Sequence, residues 1–292
     1  MKRRLSILVT VLFYEAGYDQ SPVAQAAAGI ERGERIYIEN CAACHGQKGD
    51  GKGPEANRLQ TKPRDFTTGN YKFRSTASGS LPLDQDIFRT ISRGVRATSM
   101  LAQLHLSESE RLAVIEYLKT FSNRFKTEKP LQPIAIPAVP SSTRDLITVG
   151  KTMYTDAGCN QCHGAEGKGN ASSANQLKDE SGNPIVPTDL TLKPFKSGPS
   201  PEDLYRTIST GFNGTPMPSY ADALAPKERW ALVFYILSIA TQERPRGMMG
   251  LVGEEVEGMR IDMRAAMAGM MGGGGGMMDR NMQDMMKDMM GR

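Results

Sequence analysis

The sequence predicts an all-α protein built from one helical unit used twice. Two observations carry this: the chain matches itself at an offset of 117–118 residues, and its apolar residues fall at helical spacing while no stretch alternates convincingly as a strand. Gly33-x-x-x-Tyr37 returns as Gly150-x-x-x-Tyr154, and the run Asp86 to Gly94 returns as Asp203 to Gly211. Thr98-x-Met100 pairs with Thr215-x-Met217, Glu110-Arg111 with Glu228-Arg229, and Tyr117 with Tyr235. An offset this constant over so many features points to duplication of a whole unit.

The segments follow in order. Residues 1–26 join the basic Lys2-Arg3-Arg4 to the apolar run Leu5 to Phe13 and to Ala24-Gln25-Ala26, which reads as an export signal and predicts a periplasmic or extracytoplasmic protein. The first unit spans 30–125. It starts with a helix over 30–40, and its last helix opens on the capping box Ser107-x-x-Glu110 and places Leu112, Ile115 and Leu118 on one face. Residues 126–142 carry Pro130, Pro133, Pro137 and Pro140, a density that favours an extended connector. The second unit spans 143–243, with a helix over 146–157 and a last helix that begins at Pro226, where a missing N–H does no harm. Residues 244–292 form a Met- and Gly-rich tail holding fourteen of the 18 methionines.

Composition excludes several classes. A mean hydropathy of −0.41 with no 18-residue apolar run excludes a polytopic membrane protein. The net charge of +4 forms no Lys/Arg run beyond Lys2-Arg3-Arg4, so no basic stripe exists for nucleic acid. The units differ in sign, +4 over 30–125 and −2 over 143–243.

Chemistry concentrates in Cys41-x-x-Cys44-His45 and Cys159-x-x-Cys162-His163, which use all four cysteines and two of the three histidines. Cysteines three apart on a helical turn reach the two vinyl groups of a haem, and the next histidine supplies an axial iron ligand. A structural zinc site would need both pairs within about 20 residues of each other, and here they lie 118 apart. A thioredoxin-like pair would need a βαβ setting. Two covalent haem c groups, on Cys41, Cys44, Cys159 and Cys162, are therefore expected. For the opposite face of each iron the sequence offers Met100, the only methionine in 30–125, and Met217 within Thr215-Pro216-Met217-Pro218. Met153 lies too near its own motif, and His105 is the rival for the first haem. An iron closed by His45 and Met100, or by His163 and Met217, passes electrons and has no room for a substrate.

On these motifs the chain resembles class I c-type cytochromes in tandem, the dihaem electron carriers, over about residues 30–243. The resemblance implies that Gly33 and Gly150 let the first helix of each unit cross the last closely, near Tyr117 and Tyr235. It implies a proline carbonyl bonded to the ligating histidine, for which Gly53-Pro54 suits unit one, while unit two departs with Gly167-Lys168-Gly169-Asn170. It also implies a redox protein as donor and another as acceptor, such as a membrane oxidase or dehydrogenase, with no small-molecule substrate. The alternatives are a dihaem peroxidase-like or thiosulfate-oxidising enzyme, and a cytochrome subunit of a larger oxidoreductase complex. The methionine stripes of the tail add a copper(I) site as a hypothesis, because thioethers are soft ligands.

Overall fold

The structure, a computed structural model, describes residues 22–244, with side chains from residue 28 onward. The expected signal (1–26) and tail (244–292) thus lie outside the described residues, save for the backbone of 22–26 and for Arg244. Unit one contains α1 (Pro22–Asn40), α2 (Ala42–His45), α3 (Asp84–Arg93), α4 (Glu108–Thr120) and α5 (Arg124–Thr127). Unit two contains α6 (Arg144–Asp156), α7 (Asn160–His163), α8 (Pro201–Thr210) and α9 (Pro226–Ile239). The strand content described is one parallel pair of two-residue strands, β1 (Leu192–Lys193) and β2 (Gln242–Glu243), which ties the end of α9 back to its unit.

Each unit is organised by a crossing of its first and last long helices, α1 on α4 and α6 on α9. The sequence permits this because the crossing points are glycines. A Cβ on Gly33 would strike the Ala113 carbonyl, and one on Gly150 would strike the Ala231 carbonyl. Four residues on, the buried Tyr37 and Tyr154 pack on Tyr117 and Tyr235, with ring centroids 5.4 and 5.3 Å apart. Ile36, Ile87, Ile91, Val114 and Leu118 fill one core, and Leu204, Ile208, Trp230, Val233 and Phe234 the other.

The third helix of each unit is held by the same devices. The buried Asp86 accepts from the Leu83 N–H at the start of α3 and pairs with Arg89 at 2.7 Å. Asp203 accepts from the Ser200 N–H at the start of α8 and pairs with Arg206 at 2.6 Å. From α4, Arg111 donates to Ser92 Oγ at 2.9 Å and lies over the Phe88 ring. From α9, Arg229 donates to Ser209 Oγ at 2.6 Å and lies over the Tyr205 ring. The capping box at Ser107 forms as expected, with Glu110 N donating to Ser107 Oγ and Ser107 N to Glu110 Oε2.

The units diverge in two loops. From histidine to the next Pro-x-Asp-x-Thr, unit two is six residues longer than unit one (163–187 against 45–63), and from that motif to the third helix it is seven shorter. The extra length in unit two forms a hairpin over 177–185, closed by Ile185 N to Leu177 O and Asp179 N to Asn183 O. These loops meet the other unit, and so does the connector. Leu131 N donates to Ser80 Oγ and Ile134 N to the Ser75 carbonyl, while Ile136 packs on the core of unit two.

Candidate cofactor sites

A single helical turn gathers each expected attachment set. The N–H groups of Cys44 and His45 both return to the Cys41 carbonyl, at 3.2 and 2.9 Å, and those of Cys162 and His163 to the Cys159 carbonyl, at 3.3 and 2.9 Å. The buried hydroxyls of Tyr37 and Tyr154 then donate to the carbonyls of Gly46 and Gly164, both at 2.7 Å. Those glycines follow the histidines directly, at φ +77° each, a conformation that disfavours any side chain. The long helix thus fixes the position of the turn that carries the motif.

All four thiols are free and partly exposed. Burial pushes the Cys41 thiol up to about 11 and raises Cys44 and Cys159 as well, so the unmodified protein holds these three as thiols.

Both histidines are oriented by a backbone carbonyl. His45 Nδ1 lies 3.1 Å from the Arg64 carbonyl and His163 Nδ1 2.9 Å from the Thr188 carbonyl. A carbonyl only accepts, so Nδ1 carries the proton and Nε2 keeps the lone pair an iron needs. Burial lowers the basicity of both rings, which favours the neutral form that ligation requires.

This corrects the expectation that the Pro54 carbonyl would hold His45, and it removes the departure expected of unit two. In both units the acceptor is the residue after a later proline, within Pro63-Arg64-Asp65-Phe66-Thr67 and Pro187-Thr188-Asp189-Leu190-Thr191. Asp65 Oδ1 accepts from the N–H and hydroxyl of Thr67, and Asp189 Oδ1 from those of Thr191, so both turns are built alike. The repeat was present in the sequence at an offset of 124. The loop-length difference shifts it away from the 117–118 offset that the other features share.

The methionine loops are equally matched. Val95 N donates to the Met100 carbonyl at 2.8 Å, and Phe212 N to the Met217 carbonyl at 3.1 Å. Within each loop a threonine hydroxyl accepts from the methionine N–H and donates to the loop's first carbonyl: Thr98 to Val95, Thr215 to Phe212. Gln103 N and Tyr220 N tie the far ends to the Ile91 and Ile208 carbonyls. Both methionines are partly buried. His105 is exposed and its Nε2 is 2.9 Å from Asn40 Oδ1, while Met153 packs on the core of unit two.

Haem c fits this donor set. Each unit presents two unpaired thiols three residues apart, a neutral imidazole with its tautomer fixed, and a loop bearing a thioether. In unit one the buried Tyr71 hydroxyl and in unit two the buried Asn160 side-chain oxygen, between the two cysteines, have no protein partner. Among the described residues no group of three or more His, Cys, Asp or Glu is arranged to hold a metal ion.

Fold and site together define a tandem c-type haem protein. The chain belongs to the cytochrome c family, whose family model matches residues 30–122 and 147–240, and is accordingly an electron-transfer cytochrome with covalent haem c. It is similar to a chain of the Kuenenia stuttgartiensis reducing HAO-like protein complex Kustc0457/Kustc0458, with 44% identity and a TM-score of 0.70 over 72% of this chain and 96% of that one. It is 24% identical to the Cbb3-type cytochrome c oxidase subunit CcoP of Helicobacter pylori over 48% of this chain, and spans only 39% of that protein. It is 33% identical to cytochrome c6 of Pyropia yezoensis over 30% of this chain and 86% of that one. Among the described residues no helix is long and apolar enough to cross a membrane.

Proposed function

We propose that this chain is a dihaem electron carrier in which His45 and Met100 close one iron and His163 and Met217 the other, and that it serves as an electron-transfer subunit beside an HAO-like redox protein. Bound haem supplies a one-electron ferric/ferrous couple. The protein's own part is to hold each imidazole and each thioether so firmly that little reorganises when charge passes. The observation that carries the reading is the duplication of every tether: the same carbonyl on Nδ1, the same tyrosine on the following glycine, the same threonine in the methionine loop.

The likeness to the HAO-like complex supports the choice of partner, since it covers nearly the whole of that chain. Export to the periplasm and the boundaries 30–125 and 143–243 belong to the same reading. A peroxidase-like or thiosulfate-oxidising activity fits less well, because all four cysteines stand in the attachment motifs and both methionine loops are tied at both ends. Copper(I) on the tail stays a separate proposal, decided by titrating the full-length protein against the same protein ended at residue 244.

Two measurements test the reading. The holoprotein is expected to titrate as two reversible one-electron steps, without rapid carbon monoxide binding when reduced. Mixed with a purified HAO-like protein from the same cells, it is expected to co-elute and to be reduced or oxidised by it; an inert, separately eluting pair refutes the partner assignment.

A further inference from the structure

The contact between the units is not symmetric. It joins the histidine side of unit one to the methionine loop of unit two, and one carboxylate stands at the centre. Glu180 lies on the hairpin that unit one lacks. Its Oε1 accepts from Arg64 Nη1 at 2.6 Å and its Oε2 from Asn70 Nδ2 at 2.6 Å. Its own N–H donates to the Gly214 carbonyl at 3.0 Å, three residues before Met217. A side chain on Gly214 would collide with this carboxylate, at 2.5 Å from both Cδ and Oε1. The hairpin tip is cross-linked, because Asp179 Oδ1 accepts from the N–H groups of Ser181 and Asn183.

Arg64 is the residue whose carbonyl orients His45. The pair it makes with Glu180 is mostly withdrawn from water, the side chains being 16% and 25% exposed, so solvent screens it less than an ordinary surface pair. Phe73 packs edge-on against Phe212 at 5.3 Å, and the buried Arg74 donates to the Thr210 carbonyl at 2.6 Å, which holds the same faces together.

We propose that Glu180 is a positioning and charge-balancing residue shared by both haem sites: it neutralises Arg64 behind His45 and, by gripping unit one from beside Gly214, fixes the Met217 loop against unit one. The proposal rests on the dihaem reading above. Its logic is electrostatic. Oxidation adds a positive charge at the iron, so an uncompensated cation behind His45 favours the ferrous form and an uncompensated anion favours the ferric form.

The test is a charge cycle on the holoprotein, with the two redox waves assigned by Met100→Ala and Met217→Ala. Glu180→Gln keeps a hydrogen-bond acceptor and removes the charge. It should raise the midpoint of haem one, shifting its reduced-to-oxidised ratio at fixed potential about threefold, which is about 30 mV at 59 mV per tenfold for one electron. Arg64→Gln should shift it the opposite way, and the double variant should return near wild type. Loosening of the fold would move both single variants in the same direction, so shifts of equal sign, or none, overturn the proposal. Hydrogen exchange provides a readout independent of redox chemistry: the Glu180 amide and the 212–217 loop should exchange faster in Glu180→Ala, and unchanged exchange overturns the gripping role. A wild type without two one-electron waves removes the dihaem reading itself. Two waves that Glu180→Gln leaves in place remove the charge role of Glu180 alone.

Discussion

Replacing Gly33 with alanine puts one methyl group into the tightest contact of unit one, and the neighbouring Gly29 provides a control on the same helix. At position 29 an added Cβ meets nothing within 4 Å. Once the expected signal through residue 26 is removed, Gly29 stands next to the new N-terminus, so Gly29→Ala should change stability little. At position 33 the Cβ would overlap the Ala113 carbonyl and stand 3.0 Å from Tyr117 Cβ. Backbone on a packed helix cannot swing aside as a long side chain can, so α1 and α4 must separate and weaken the Tyr37–Tyr117 contact. Overpacking of this kind costs about 1–3 kcal/mol. Taking the upper end, against a propensity gain of about 1, leaves a net loss of about 2 kcal/mol. For a unit of about 100 residues that lowers the melting temperature by about 10 °C, while Gly29→Ala leaves it nearly unchanged. Thermal unfolding followed by circular dichroism on the haem-loaded protein measures both, and Gly150→Ala should repeat the loss in unit two. A Gly33→Ala protein as stable as Gly29→Ala would refute the close-crossing argument.

The other tethers give sharper local predictions. Thr98→Val and Thr215→Val each remove a hydroxyl that bridges the methionine N–H to the loop's first carbonyl, at about 1–2 kcal/mol of loop stability. Sulfur ligation should then be lost on warming well below global unfolding in the altered unit only, which variable-temperature absorption reports. Ser209→Ala should cost about 2 kcal/mol in denaturant unfolding because it strips a partner from the buried Arg229. Ser92→Ala, facing the more accessible Arg111, should cost about half of that, and equal losses would contradict the burial argument.

Much of this was legible in the sequence. The motifs fix the attachment turns, the 117–118 offset fixes the helical pairs, and the capping box at Ser107 and Pro226 at the head of α9 mark helix starts that form as read. The carbonyls on His45 and His163 were missed because backbone acceptors carry no side-chain signature, and because two compensating loop changes moved Pro63 and Pro187 out of register. The Arg64–Glu180 contact was illegible for a different reason. It joins residues 116 apart across a surface that exists only once both units have folded, and one partner sits on a hairpin without counterpart in the other repeat. His105, the rival that the sequence offers close after Met100, stands exposed with its Nε2 2.9 Å from Asn40 Oδ1.

In the proposed reading a sulfur closes each iron opposite its imidazole. Near-infrared absorption of the fully oxidised holoprotein reports this closure through the weak charge-transfer band of thioether-to-ferric ligation. Two equivalents of that band are expected, with Met100→Ala and Met217→Ala each removing one. A spectrum without the band, or a five-coordinate high-spin ferric signal in the untreated protein, would contradict the account.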